Sequence, residues 1–284
     1  MTAIPTTPAP APAPAPAAAP AAAPIPRGRA GLRQAVRSEW TKFWSVRSTA
    51  WSLAATVFLV LGICVLANAN AANNGLHVAD PTRRSLVGFL LGQFAIGVLG
   101  VLVISAEYTT GSIRSTLAGM PRRPVVIAAK VVVFGAVALV VSEMLAFSAF
   151  FIGQALLSRT GYSATLSQPG VTQAVLESGL YLTALGLLAL GMATVIRHTA
   201  GAIAAFAGIL LVLPLVVPAL PTSMVNAITR YLPANIGITI LSSAQNTHIF
   251  STPEFSASTG LAILAGYAAA MLVLGGWLMV KRDA

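Results

Sequence analysis

Charge is scarce in this chain of 284 residues, where Asp, Glu, Lys and Arg together make up 8% against about 25% in an ordinary soluble domain. A water-soluble fold of this length could not cover itself. Acidic residues are the scarcest, seven against seventeen Lys and Arg, so a carboxylate cluster has few members to draw on. Cysteine occurs once, as Cys64 within an apolar run, which excludes a disulfide framework within the chain and a cysteine-based zinc site. The three histidines, His77, His198 and His248, lie in separate connecting segments, and no His-Glu-x-x-His pattern occurs. Zinc-dependent hydrolysis on a helix is therefore not encoded, and an enzyme reading is left only with a membrane hydrolase assembled from distant residues. The three lysines, Lys42, Lys130 and Lys281, follow Thr41, Ala129 and Val280, whereas a P-loop needs glycine before its lysine. The chain carries no nucleotide-binding loop, and any ATP it uses must be hydrolysed by another polypeptide.

What the chain has in surplus is hydrocarbon. Apolar residues make up 56% and the mean hydropathy is +0.82, more than one core can bury, so the excess must face lipid. The expected fold is an all-α integral membrane protein. A formal charge of +10 invites a nucleic-acid reading, but that requires basic residues gathered on one face. Here they sit between hydrophobic runs, and no nucleic acid is expected as a partner. At about 1.5 Å per residue, roughly 20 residues cross the hydrocarbon layer, which predicts six spans, at about 50–68, 85–106, 131–153, 178–196, 201–220 and 260–280. Residues 50–284 form the six-span domain. Positive flanks are retained in the cytoplasm, and an inward N-terminus places thirteen basic residues inside against four outside. Both termini are expected in the cytoplasm, the membrane being the cell membrane. The preference for Arg over Lys and the abundance of Ala fit a GC-rich, bacterial genome.

Residues 1–30 hold a Pro/Ala-rich stretch, with nine of the eighteen prolines between 5 and 26, and read as a disordered cytoplasmic tail, since such a segment buries no core. Residues 31–49 differ, because Leu32, Val36, Trp40, Phe43 and Trp44 recur at helical spacing while Arg33, Arg37, Lys42 and Arg47 occupy other faces. This predicts an amphipathic helix, with Glu39, Trp40, Lys42, Trp44 and Arg47 at the membrane interface and membrane lipid as partner. The alternative is the polar flank of the first span. The connection 107–124 is long for a linker, with Ile113, Leu117 and Met120 at helical spacing and a Pro121-Arg122-Arg123-Pro124 stop. It reads as a short amphipathic helix that docks a partner or lies on anionic lipid through Arg114, Arg122 and Arg123.

Glu143 falls near the middle of the third run, where a charge is costly and marks a pathway or a buried pair. A substrate path or dimer contact stands beside a protonated, structurally satisfied carboxyl. Glu177 is expected to cap the outer start of the fourth span. Gly88 with Gly92, and Ala262, Gly266 and Ala270, are small residues at four-residue spacing that permit close packing within the chain. Pro214, Pro218, Pro221 and Pro233 interrupt an otherwise apolar stretch, and broken backbone at membrane depth needs protein or water around it.

Several motifs resemble the permease subunits of ATP-binding-cassette exporters of the type 2 class. Ser38-Glu39-Trp40-Thr41-Lys42 is similar to that family's segment before the first span, and Glu107-Tyr108-Thr109-Thr110-Gly111-Ser112-Ile113-Arg114 with Pro121-Arg122-Arg123 and Lys130 to its loop after the second. Tyr231-Leu232-Pro233 before the last span also matches. The resemblance covers most of the chain except the Pro/Ala tail. It implies a half-transporter that pairs with a second permease copy or paralogue and with ATPase subunits. Residues 31–49 would be the connecting helix and 107–124 the coupling element, with Glu107, Tyr108, Gly111, Arg114, Leu117, Arg122 and Arg123 facing the ATPase, and residues 221–258 would match the family's outer segment that dips back into the membrane. No cofactor is expected in this chain, ATP and Mg belonging to the partner. A gradient-driven transporter or channel using Glu143, and a non-transporting scaffold, are the competing readings.

Overall fold

The computed structural model describes residues 31–112, 123–243 and 255–281, and every regular element among them is helical. Six helices are long and apolar enough to cross a membrane: Arg47–Asn74, Pro81–Thr109, Pro124–Thr160, Val171–Ile196, Thr199–Ala219 and Ala257–Lys281. The chain is a multi-pass membrane protein. The first described helix is α1 (Leu32–Ser45), which turns through an extended Val46 into α2 (Arg47–Asn74). The second span is α3 (Pro81–Leu86) followed by α4 (Phe89–Thr109), and the third is α5 (Arg123–Leu157). The fourth is α6 (Val171–Ile196). The fifth is α7 (Thr199–Ala207), a π-helical turn at Gly208–Val212, α8 (Leu213–Val216) and a 3-10 turn at Val217–Ala219. Then follow α9 (Thr222–Ile228), α10 (Pro233–Ile240) and α11 (Ala257–Lys281).

The helices run past the hydropathic runs that announce them. A 28-residue α2 is about 42 Å long, longer than the ~30 Å hydrocarbon layer, so its last turns carry polar Asn68, Asn70, Asn73 and Asn74. Hydropathy marks the lipid boundary; helix ends are set by caps. The fourth span shows the difference, since α6 starts at Gly170 with φ 80°, seven residues before Glu177. Glu177 therefore does not cap this helix; it is buried in the second turn and accepts a hydrogen bond from Gln173 Nε2 at 2.9 Å. In the fifth span, Pro214 has no amide hydrogen to give, and the helix absorbs the loss as the π turn just before it, with Leu213 N bonding to Gly208 O.

The fourth span is the centre of the bundle. Buried residues make up 78% of its apolar window, against 22% for the first, fifth and sixth, and it packs on α4, α5 and α11. Three neighbours fit around one helix because side chains are missing at the crossings. The α-carbon of Gly100 in α4 faces the Gly186 carbonyl, Gly191 lies against Met271 and Leu272 of α11, and Gly275 lies against the Thr194 side chain. Lipid tails are as apolar as leucine, so such close backbone approach, rather than escape from water, holds membrane helices together. Gly88 and Gly92 likewise sit on Val60 of α2. The stripe Ala262, Gly266 and Ala270 behaves otherwise: all three are exposed, and nothing lies within 4 Å of a β-carbon built at Gly266. The sixth span turns its other face, with Leu264, Ala268 and Gly275, toward the bundle.

At the end away from α1, Asp80 caps α3 by accepting from Arg83 N at 3.0 Å, and it also accepts from Ser242 Oγ at 2.6 Å and Ser243 N at 3.0 Å. That carboxylate ties the first connection to the end of α10. α10 itself lies inside the bundle, where its Gly237 meets Tyr181, whose hydroxyl donates to Gln93 Oε1 at 2.6 Å.

Bulk at the α4–α6 crossing must separate the two helices. Gly100→Leu should cost about 1–3 kcal/mol or more, as overpacking does, whereas Gly266→Ala, which points into open space, should be neutral. Thermal unfolding of the two detergent-solubilised variants compares them directly.

Candidate functional site

Four charged side chains from three helices meet where α1 crosses the bundle. Lys130 Nζ, one turn and a half into the apolar part of α5, donates to Glu39 Oε2 of α1 at 2.7 Å and to Glu107 Oε1 of α4 at 2.8 Å. Lys42 Nζ of α1 donates to Glu39 Oε1 and to the same Glu107 Oε1, both at 3.1 Å. The result is a closed ring of alternating sign. The Lys130 side chain is only 2% exposed, those of Glu39 and Glu107 9% and 12%, and that of Lys42 39%. Lys130 also reaches the Val103 carbonyl at 3.4 Å, so each ammonium hydrogen has an acceptor.

Local sequence explains how the ring closes. Glu39 and Lys42 lie three apart on α1 and so on adjacent parts of its surface. Ala35, Glu39 and Phe43 form the buried stripe of α1, while Trp40 and Trp44 are 48% and 54% exposed on the other side. The face that packs inward carries the acid, and the face that looks outward carries indoles. Glu107 sits in the last turn of α4, which continues to Thr109 before Gly111 turns the chain with φ 71°. Glu107 and Tyr108 therefore belong to the helix and not to the connecting loop expected over 107–124. Of the remaining residues expected in that loop, Arg114, Leu117 and Arg122 lie outside the described residues. Arg123 begins α5, its side chain not being among those described.

A second contact set lies beside the ring. The Tyr108 ring packs near Ile127, Val131 and Met279 and carries the Arg197 guanidinium 5.5 Å from its centroid. Arg197 is the one described residue other than glycine with positive φ, at 58°, and it closes the fourth span as its C-cap before His198 caps the fifth through Nδ1. Its Nη2 also donates to the Leu278 carbonyl of α11 at 3.3 Å. Arg197 thus joins the ends of three spans. Arg47 opens α2 and is exposed.

Glu143 stands apart from both groups. It lies against the fourth span, where a β-carbon built at Gly179 would be 2.5 Å from Glu143 Cδ. Among the described residues no hydrogen bond or ion pair reaches it, and its Oε2 is buried. The structure does not place it near Glu39, Glu107 or Lys130. Among the described residues no group of three His, Cys, Asp or Glu side chains is arranged to hold a metal ion.

No protein-family model matches this chain, and no curated protein matches it either.

The ring's electrostatics follow from burial. Burial opposes the charge on Lys42, but the Glu39 and Glu107 carboxylates outweigh it and hold the ammonium above its ordinary value of 10.5. A raised pKa means that the Lys42 contribution is fully present below that ordinary value and is lost only as pH climbs past the folded one. The stability difference between the native chain and Lys42→Gln should therefore be flat from neutral pH to about 10 and shrink above it, read by melting across an alkaline series. Lys130→Met is the harsher change, since it leaves two facing carboxylates in a buried site. It should cost about 3–5 kcal/mol, and adding Glu39→Gln to Lys130→Met should recover part of the loss in the same melting assay.

Proposed function

We propose that this chain is the transmembrane permease subunit of an ATP-driven exporter, moving its substrate across the cell membrane with ATP hydrolysed by a separate subunit. The observation that carries the reading is the charge ring. An ion ring of this kind fixes a peripheral helix, α1, to the last turn of α4 and the first turns of α5, the two helices flanking the 110–122 connection. A connection held rigidly at both roots is suited to receive force from a docked partner. The resemblance of the Glu39 and Glu107 segments to type 2 exporter permeases supports the same reading, as does a sequence without its own P-loop.

In this reading α1 lies at the cytoplasmic membrane surface, with Trp40 and Trp44 at headgroup depth and Arg33, Arg37 and Arg47 toward anionic lipid. Both termini are cytoplasmic. ATPase subunits dock on the 107–124 region, and ATP and Mg are bound there, not here. A second permease copy or paralogue completes the pathway; of the outer segment expected over 221–258, residues 244–254 lie outside the described residues. ATP-driven approach of the ATPase subunits moves the connection, and the ring passes the displacement to α1, α4 and α5 together.

The test is to purify the tagged chain from its native membrane, identify what accompanies it and assay ATP hydrolysis. A stoichiometric P-loop subunit is expected. Glu107→Ala should leave ATP hydrolysis measurable while lowering transport at least about tenfold; normal transport by this variant would show that the ring transmits nothing.

One observation favours a second reading. Glu143 is a carboxyl near the middle of a span with no partner among the described residues, as a proton relay in a gradient-driven transporter would require. Flux driven by a pH gradient without ATP, and abolished in Glu143→Gln, would establish it over the exporter.

A further inference from the structure

We infer that the cavity beneath the elbow between α1 and α2 binds a phosphate-bearing amphiphile, a phospholipid or lysophospholipid taken from the adjoining leaflet. The inference does not depend on the exporter reading. The cavity holds about 390 Å3 and is walled by the elbow, the last turns of α4 and the first apolar turns of α5. Phe43, Leu102, Val103, Val133 and Phe134 give it an apolar interior. An apolar space of that size is a poor place for water, whereas an acyl chain from the neighbouring lipid would fill it.

The polar wall has a different character. Ser48 and Thr49 in the first turn of α2 line the cavity, and neither hydroxyl has a hydrogen-bond partner among the described residues. Thr49 is only 6% exposed, so its unpartnered hydroxyl is turned to the cavity rather than to bulk solvent. The N-cap of α2 is Val46, which has no side-chain acceptor, and no acid stands in the first turn; Thr49 N donates to the Val46 carbonyl at 3.1 Å, so the amides left to this helix end are those of Arg47 and Ser48. Lys42, the most exposed member of the ring, is on the same lining. Glu39 and Glu107 line the cavity too, but each is held on both lysines and the ring is neutral as a whole. The Ser48 and Thr49 hydroxyls on one side, and the apolar surface of Phe43, Leu102, Val103, Val133 and Phe134 on another, match a phosphate ester joined to an acyl chain.

Native mass spectrometry of the full chain in a nonionic detergent tests this with 1-palmitoyl-lysophosphatidylglycerol as the probe. One equivalent should be retained saturably. 1-Palmitoylglycerol, which has the chain and glycerol without the phosphate, should bind at least about tenfold more weakly, the scale of one charged hydrogen bond. The pair Ser48→Ala and Thr49→Val should reduce retention of the phospholipid to the level of that control. Val103→Phe, which fills the apolar part and leaves the polar wall intact, should reduce binding of both amphiphiles; if one variant fails to fold, the other carries the test. Equal binding of the two amphiphiles, or unchanged retention in a folded variant, would overturn the inference. Displacement of the probe by millimolar inorganic phosphate alone would reduce the site to a simple anion site and overturn the amphiphile assignment.

Discussion

Ionised groups taken out of water must find each other, and in this protein that requirement organises one end of the bundle. Lys130 is almost wholly buried, and a lone ammonium there would be untenable. Glu39 and Glu107 make it possible, and each of them in turn needs the second cation that Lys42 supplies. No member can leave without stranding a charge. Because the four come from α1, α4 and α5, the ring fixes a helix that otherwise has little to hold it. The residues by which α1 packs inward are few, Ala35 and Phe43 beside Glu39. Electrostatic closure, rather than area, determines where α1 sits.

The remainder of the bundle obeys a different constraint, that helices in lipid adhere by contact. Glycines at the α4–α6 and α6–α11 crossings bring backbones together around the fourth span, and polar groups appear chiefly near the two ends. Asp80 with Ser242 and Ser243 fastens one end, and the ring with Arg197 fastens the other. Between them lie the Tyr181–Gln93 hydrogen bond and Glu143, a carboxyl whose cost is not offset by any described partner.

The six apolar runs were legible because lipid imposes one rule on every residue of a span. Helix ends were not, since caps such as Gly170 and Asp80 act locally and outside the hydrophobic signal. The Asn-bearing last turns of α2 and the first turns of α6 were accordingly missed. The separate importance of Glu39, Lys42 and Glu107 could be read from their motifs, but their union with Lys130 could not, because the partners stand 65 and 91 residues apart in sequence. One signal was available. Two of seven acids and two of three lysines lie next to apolar runs on the same expected side of the membrane, and charges so placed have little choice but to pair. The outward stripe of Ala262, Gly266 and Ala270 was misread for the converse reason: small residues permit approach without saying which neighbour comes.

Where this protein can bend follows from where it cannot. The ring makes α1 and the roots of α4 and α5 a single unit, and the glycine crossings bind α4, α6 and α11 into a second that shares α4 with it. Flexing is then left to positions with no such ties. The elbow at Val46 joins two helices through one extended residue, and Gly111 turns the chain just beyond the ring in a conformation that side chains resist. The fifth span is interrupted by its π turn and by prolines at 214 and 218, and only a fifth of its apolar window is buried. Its first half is nonetheless seated on the bundle, where the Phe206 ring lies over Gly97 of α4. Arg197, held in a left-handed conformation at the root of that span while touching Tyr108 and Leu278, is the residue that ties the start of the fifth span to the ends of the second and sixth.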